Sequence, residues 1–314
     1  MRILKAKKLK KRDVIGIISP ASFPADSSRI QNGVTYFEKL GYRVEIGKNV
    51  GKELGYLAGS DEQRAEDLND MFRNKQVKAI FCLRGGYGSG RLLDKIDFGA
   101  VRRNPKIFVG YSDITSLQMA FLQKAGLVTF AGPMVAVDFY QEEVDEFTEE
   151  FFWKIVTSSR KIGKIINPNG EPFYSLTKSR GEGRLIGGNL AVFSSLFGTP
   201  YFPNLKHTIL LLEDISEPPY RIDRMLNQLK LSGILNKTNG IVLGRFVDCY
   251  EADATKKTLT LNEVIENYFS ALKKPVLYNI KHGHIQSNIT IPFGLNAKVN
   301  ASRKIFEITE SAVS

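Results

Sequence analysis

Apolar residues gather in short runs along the first half of the chain, separated by stretches with helical spacing. The runs V-I-G-I-I-S from Val14, Y-R-V-E-I from Tyr42, A-I-F-C-L from Ala79, K-I-F-V-G from Lys106 and L-V-T-F-A from Leu127 are brief and rich in β-branched and aromatic side chains. Between them, residues 27–40 and 61–73 repeat apolar side chains at the three- and four-residue spacing of an amphipathic helix. Strands alternating with such helices predict an α/β fold, with an open, mostly parallel sheet flanked by helices in residues 1–160.

The pattern changes between Ser158 and Gly183, where Lys, Pro, Asn, Gly and Ser dominate and no amphipathic helix can be written. Residues 161–182 therefore read as a linker with room for one short strand. Residues 183–314 read as a second α/β domain with a barrel-like, strand-rich part. R-L-I-G from Arg184, T-I-L-L-L-E from Thr208 and G-I-V-L-G from Gly240 are strand-like, a small-residue helix starts at Asn189, and Pro218 and Pro219 open another. Further strands are expected in P-V-L-Y-N-I from Pro275, in N-I-T-I from Asn288, and near 294 and 304. A length of 314 residues suits two such domains.

With 43% hydrophobic and 25% charged residues the chain can bury real cores, which excludes wholesale disorder. A formal charge of +11 draws anions, whether nucleic acid, acidic lipid or a small polycarboxylate. The basic run Lys5–Arg12 carries none of the aromatics that stack on single-stranded bases, and it reads as a solvated lead-in to the first strand. Cys82 and Cys249, the two cysteines, lie in or beside apolar runs as buried free thiols do. No run approaches the roughly 18 apolar residues of a membrane span, and none forms a signal peptide, so a cytoplasmic location is expected.

Three places carry candidate chemistry. In G-Y-S-D-I-T, Ser112 stands just past a strand and before a helix, the setting of a nucleophile elbow. Taken alone this pattern favours a helix cap at Ser112 or Asp113, because G-Y-S-D is not G-x-S-x-G. R-G-G-Y-G-S-G-R, from Arg84, follows another strand. It lacks the ending of a phosphate-binding loop, and its backbone suits either an oxyanion hole at Gly86 and Asp113 or a plain tight turn. Of the three histidines, His207 reads as structural, His284 sits in a turn between two strands, and His282 is its substitute. A carboxylate must orient such an imidazole. Glu213, ending the continuously apolar T-I-L-L-L, is placed where open α/β sheets keep their sites, ahead of Asp214 and Glu217.

These segments together resemble the LD-carboxypeptidase family, which also holds the microcin C immunity peptidases. The likeness runs from I-S-P-A-S at Ile18 through D-E-Q-R-A-E-D-L-N at Asp61, the Gly-rich loop, G-Y-S-D-I-T at Gly110 and G-P-M at Gly132. It continues through G-G-N-L at Gly187 and L-E-D-I-S-E-P-P-Y-R-I-D-R at Leu212 to G-H at Gly283. Ala131 departs from it, since the family often has histidine there.

The resemblance implies a Ser112–His284–Glu213 triad, with the serine on the first domain and its two partners on the second. It also implies an oxyanion hole from the backbones of Gly86 and Asp113, and hydrolysis of the L,D bond to the terminal D-alanine of murein tetrapeptide during cell-wall recycling. No cofactor or metal is expected, and a homodimer is. Arg84 and Arg221 are candidates for the substrate carboxylate, though both are equally placed to pair with nearby acids. An immunity-type peptidase cutting an acyl bond to a modified aminoacyl adenylate is the second reading. A non-enzymatic anion-binding module is the third, and nucleic-acid or membrane partners are not expected.

Overall fold

The computed structural model describes residues 2–314. Its first sheet is built from β1 (Val14–Ile18), β2 (Arg43–Ile46), β3 (Val77–Cys82), β4 (Ile107–Val109) and β5 (Thr129–Ala131). These five strands are parallel, in the order β2-β1-β3-β4-β5. Helices α1 (Ser28–Lys39), α2 (Asp61–Arg73), α3 (Phe98–Arg103), α4 (Thr115–Ala125) and α5 (Glu146–Thr157) belong to the same unit. α2 shows how local sequence sets an element: Ser60 and Gln63 close a capping box, acids fill the first turn and Arg73 the last.

The second sheet contains β6 (Gly163–Lys164), β7 (Tyr174–Ser175), β8 (Arg180–Asn189), β9 (Thr208–Ile215), β10 (Gly240–Val247), β11 (Val276–Tyr278), β13 (Asn296–Asn300) and β14 (Ile305–Ile308), in the order β6-β14-β13-β8-β9-β10-β11-β7. β8 to β11 are parallel and the flanking strands antiparallel. The helices of this half are α6 (Leu190–Ser195), α7 (Pro219–Leu231), α8 (Ile234–Lys237) and α9 (Leu261–Phe269). β9 is buried along its length up to Ile215, as its unbroken apolar run requires of a strand covered on both faces.

Three details differ from the sequence reading. The expected barrel-like part is an open sheet with two free edges, because β6 and β7 do not pair with each other. The polar stretch 161–182 supplies both of those edge strands and the start of β8, so its Gly, Pro and Asn residues serve as breaks between short strands. The strand expected from Asn288 starts only at Ile291, and this β12 (Ile291–Phe293) leaves the second sheet to pair antiparallel with β5 of the first. The chain thus crosses back between the two units directly after residue 290.

α4 lies where the units meet and packs against α6 as well as its own sheet. Nine of its eleven residues are buried, Thr115, Ser116 and Gln118 among them, which explains why its apolar side chains are not confined to one face.

Candidate active site

The site begins at the end of β4. Gly110 N–H donates to the Phe130 carbonyl, Tyr111 is buried, and Ser112–Ile114 make one 3-10 turn before α4. Ser112 has φ +65°, a left-handed conformation costing a side-chain-bearing residue about 1–2 kcal/mol. A strained serine between strand and helix, half-buried with its hydroxyl at the turn, is the geometry of a nucleophile elbow.

In the strand order of the first sheet the direction of winding reverses between β1 and β3, which opens a crevice at their carboxyl ends. The Gly-rich loop leaves β3 there and reaches Ser112: a Cβ added to Gly85 would lie 3.0 Å from Ser112 Cβ. Gly86 has φ +109°, and a Cβ on it would stand 2.5 Å from Ser22 Oγ, so only glycine fits. The exposed Gly86 N–H has no acceptor among the described residues. Ser22 pins the loop by donating its N–H to Gly85 O (3.3 Å) and by accepting from Tyr87 N–H at Oγ (3.1 Å). Buried Arg64 reinforces it, with Nη1 donating to Pro20 O (2.5 Å) and Gly88 O (2.9 Å) while Nη2 pairs with Asp61. The side chain of Asp113 is absorbed by this scaffold: its Oδ2 accepts from Ser89 N–H at 2.8 Å, and burial raises its pKa.

The second unit contributes a histidine–carboxylate pair. Glu213, 1% exposed at the carboxyl end of β9, presents Oε2 to His284 Nδ1 at 2.9 Å. An ionised carboxylate only accepts, so Nδ1 carries the proton and Nε2 of the neutral ring is left as an acceptor. Burial opposes the charged imidazolium, but the hydrogen bond and charge of Glu213, with Asp214 and Asp138 behind it, outweigh burial and raise the pKa of His284 above 6.5. Gly283 makes the approach possible: it has φ +132°, and a Cβ there would lie 2.9 Å from Glu213 Oε2.

Asp214 serves another purpose. It accepts from Asn189 Nδ2 (2.8 Å), Ala191 N–H (3.0 Å) and Ile215 N–H (2.9 Å), fixing the start of α6, and burial beside Glu213 pushes its pKa to about 7. Asn189 N–H in turn donates to Thr115 Oγ1 (3.1 Å), three residues past Ser112. G-G-N-L and L-E-D-I are thereby joined to the serine's own turn.

The serine's turn and the histidine loop meet through Tyr111. Tyr111, adjacent to Ser112, meets the His284 ring edge to face at 5.2 Å between centroids. No hydrogen bond joins the Ser112 hydroxyl to His284 among the described residues. A cavity of about 620 Å³ adjoins this turn, lined from the first unit by Tyr87, Gly88, Arg91 and Asp113 and from the second by Ala191 and Val192. No group of three or more His, Cys, Asp or Glu side chains placed to hold a metal occurs among the described residues.

The other candidates fall outside this constellation. His282 is buried, its Nδ1 lies 2.8 Å from Ile289 O, and burial lowers its pKa; His207 is exposed. Arg84 Nη1 donates to Phe23 O, while exposed Arg221 pairs with Glu217 at 3.4 Å. The sequence reading passed over Tyr111 and Asp138. Asp138, on the loop after G-P-M, has its pKa raised to about 6 by burial, against the Met134 N–H and the charge of His284. Tyr111 was visible as the residue before the serine; Asp138 carried no local signal.

A strained serine turn on one unit and a hydrogen-bonded histidine–carboxylate pair on the other are parts of the kind from which serine hydrolases are built. This chain belongs to the LD-carboxypeptidase family: residues 15–132 match the LD-carboxypeptidase N-terminal domain and residues 182–299 the LD-carboxypeptidase C-terminal domain. It is 39% identical to the "Probable murein peptide carboxypeptidase" of Bacillus subtilis (strain 168), over 99% of this chain and 95% of that protein. Among solved structures, muramoyltetrapeptide carboxypeptidase from Oxalobacter formigenes matches with TM-score 0.82 at 32% identity, over 96% of this chain and 99% of that one. The microcin C7 self immunity protein MccF in complex with aspartyl sulfamoyl adenosine matches with TM-score 0.89 at 29% identity, over 99% and 100%.

Proposed function

We propose that this protein is a serine carboxypeptidase that releases the terminal D-alanine of murein tetrapeptide by hydrolysing its L,D peptide bond through an acyl-enzyme. The observation that carries this reading is the 2.9 Å bond between Glu213 Oε2 and His284 Nδ1, which leaves Nε2 able to accept a proton, in a chain that also holds Ser112 in a strained, left-handed turn. His284 takes the proton of Ser112 as its Oγ attacks the scissile carbonyl, and passes it to the departing D-alanine amine. Water then repeats the sequence on the acyl-enzyme. Catalytic hydrogen bonds of this kind often tighten only once substrate is bound, so the open Ser112–His284 contact is compatible with the role.

The free N–H of Gly86 and the backbone of Asp113, in the 3-10 turn that leads into α4, are the proposed donors to the oxyanion. Asp113 acts through its main chain, because its carboxylate is committed to Ser89. Net positive charge suits a substrate bearing several carboxylates. Arg84, whose charge acts on Tyr111 beside Ser112, is the better candidate of the two arginines for the terminal carboxylate. No helix among the described residues is long and apolar enough to cross a membrane. The reading further places the protein in the cytoplasm, as a homodimer.

Incubation with murein tetrapeptide and, separately, with an aminoacyl sulfamoyl adenosine tests the assignment by mass spectrometry. D-alanine released from the first, and lost in Ser112→Ala, is the expected result. Turnover of the adenosine conjugate alone would favour the immunity-type reading, whose support is the full-length likeness to MccF. Turnover of tetrapeptide by Ser112→Ala would remove the serine from the mechanism.

A further inference from the structure

The proposed base sits on a loop that neither sheet holds by strand pairing. β11 ends at Tyr278 in the second sheet and β12 begins at Ile291 in the first, so the backbone between them bridges the two units. Its start is held to β10, by Ile280 N–H to Leu243 O (3.2 Å) and Arg245 N–H to His282 O (2.8 Å); past His284 it is fixed by the N-terminal cap of α5, a helix anchored in the first unit. Its Phe152 packs against Phe81 of β3, and Glu149 Oε1 accepts from Tyr36 Oη of α1 at 2.6 Å.

The contacts from this cap to the loop form one connected set. Thr148, 1% exposed, donates its hydroxyl to Gln286 O (2.8 Å) and to Asp145 Oδ1 (2.7 Å), and accepts at Oγ1 from Asn288 N–H (2.8 Å). One rotating hydrogen can serve only one of those two acceptors at a time, so the hydroxyl is fully engaged whichever it chooses. Asp145, the N-cap of α5, also accepts from Ser287 Oγ (2.9 Å). Asn288 is fully buried and turns Oδ1 back to accept from Gly283 N–H (3.2 Å), the residue before His284 and the one lying against Glu213.

We propose that Thr148, with Asp145, Ser287 and Asn288, is a positioning clamp through which the serine's own unit sets the place of the base. The clamp rests on the assignment of Ser112 and His284 as nucleophile and base. Its logic is geometric: nucleophile and base come from different units, and a misplacement of about 1 Å can cost about 100-fold in rate. Without the clamp Glu213 would still orient the ring and the bonds of residues 279–282 to β10 and Asn167 would still hold the start of the loop, but nothing from α5 would tie residues 286–288, just after His284, to the serine's unit. The groups facing His284 are Glu213 and Asp214 on β9, Asp138 on the loop after β5, Tyr111 at the end of β4 and His282 on its own loop.

Thr148→Val keeps the shape of the side chain and deletes the hydroxyl; Thr148→Ser restores it. Three measurements on the full chain judge them: the rate at which a fluorophosphonate labels Ser112, kcat and KM on murein tetrapeptide, and the His284 titration, which histidine NMR resolves easily with only three histidines. For Thr148→Val we expect labelling and kcat about 10- to 100-fold lower. KM should be little changed, the His284 pKa should stay raised because the Glu213 bond is kept, and Thr148→Ser should recover most of the rate. If Thr148→Val proves unfolded, Ser287→Ala removes one arm from a half-buried position and is expected to slow labelling to a smaller degree. A folded Thr148→Val labelled at the wild-type rate, or a Thr148→Ser no better than Val, overturns the clamp. Wild-type protein that labels but releases no D-alanine overturns the substrate assignment alone, and wild-type protein that does not label at Ser112 overturns both.

Discussion

Replacing Glu213 by glutamine changes one oxygen for an amide nitrogen and removes one buried charge. In the wild type that charge lies 2.9 Å from Nδ1 of an imidazole whose pKa it helps hold above 6.5. Because a carboxylate can only accept, it dictates the tautomer with Nε2 free. The amide offers two choices. With its oxygen toward Nδ1 the tautomer survives but the imidazolium formed during proton transfer loses its counter-charge; with its NH2 group forward, Nε2 carries the proton and cannot take another from Ser112. Hydrogen bonds to charged groups are worth about 1.5–3 kcal/mol net, corresponding to roughly 10- to 100-fold at the level of the imidazolium. The tautomer error adds to this, and a comparable change in a serine-protease triad costs about 10⁴ in kcat.

We therefore expect kcat for Glu213→Gln to fall between about 10² and 10⁴, with KM changed far less. The pH profile carries the sign. As the proposed base His284 must be neutral to act, so wild-type kcat/KM is expected to decline as pH falls through its raised pKa. Loss of the carboxylate leaves burial less opposed, the charged form becomes harder to make, and the acid limb moves to lower pH. Stability moves with it: the raised folded pKa stabilises the wild type fully below the unfolded value near 6.5, and this is lost as pH rises through the folded pKa. The assay is D-alanine release from pH 5 to 9, with thermal melts as the folding control. A folded variant with near wild-type kcat, or one whose acid limb stays in place, refutes the assignment of Glu213.

Ser112→Gly should abolish turnover yet raise thermal stability by about 1 kcal/mol, since glycine adopts φ +65° without the steric cost; a melt lower than wild type would contradict the strain. Gly283→Ala should lose most activity and about 1–3 kcal/mol of stability, because its Cβ would stand 2.9 Å from Glu213 Oε2 on a backbone disfavoured for alanine; near-normal kcat would show that the loop relaxes freely. Arg64→Met should cost about 2–4 kcal/mol by denaturant titration and slow acylation, as the Pro20 and Gly88 carbonyls lose their buried donor. A variant as stable as wild type would mean that the Gly-rich loop does not depend on that guanidinium.

Much of the fold was legible because the first half obeys local rules. Periodicity placed α2 at residues 61–73 and put β1, β3 and β4 where apolar runs occur, since parallel strands buried on both faces must be continuously apolar. Ser112 and Glu213 stood out because each follows or ends an apolar strand, and His284 because the chain has only three histidines and this one stands in a turn. Illegible were the features decided by distant partners. β6 and β7 are two residues each and exist only because β14 and β11 offer edges. β12 is a three-residue strand whose sheet no local pattern names. Thr148 and Asp138 look like ordinary polar residues until the loop carrying His284 is laid over one and its ring beside the other.

β12 also bears on how the site works. Two units joined by a single linker can open like a hinge, but here the chain passes from the first sheet to the second, back to β5 through β12, and again to the second through β13. Three backbone connections, the Asn189–Thr115 bond and the nearly buried α4 oppose wide separation of the sheets. The cleft is thus largely formed before substrate arrives, and specificity has to come from what its walls admit. Such a preset site gains more from accurate placement of the histidine loop than from closure around the ligand, because the positional error of the base is not corrected by a later domain movement.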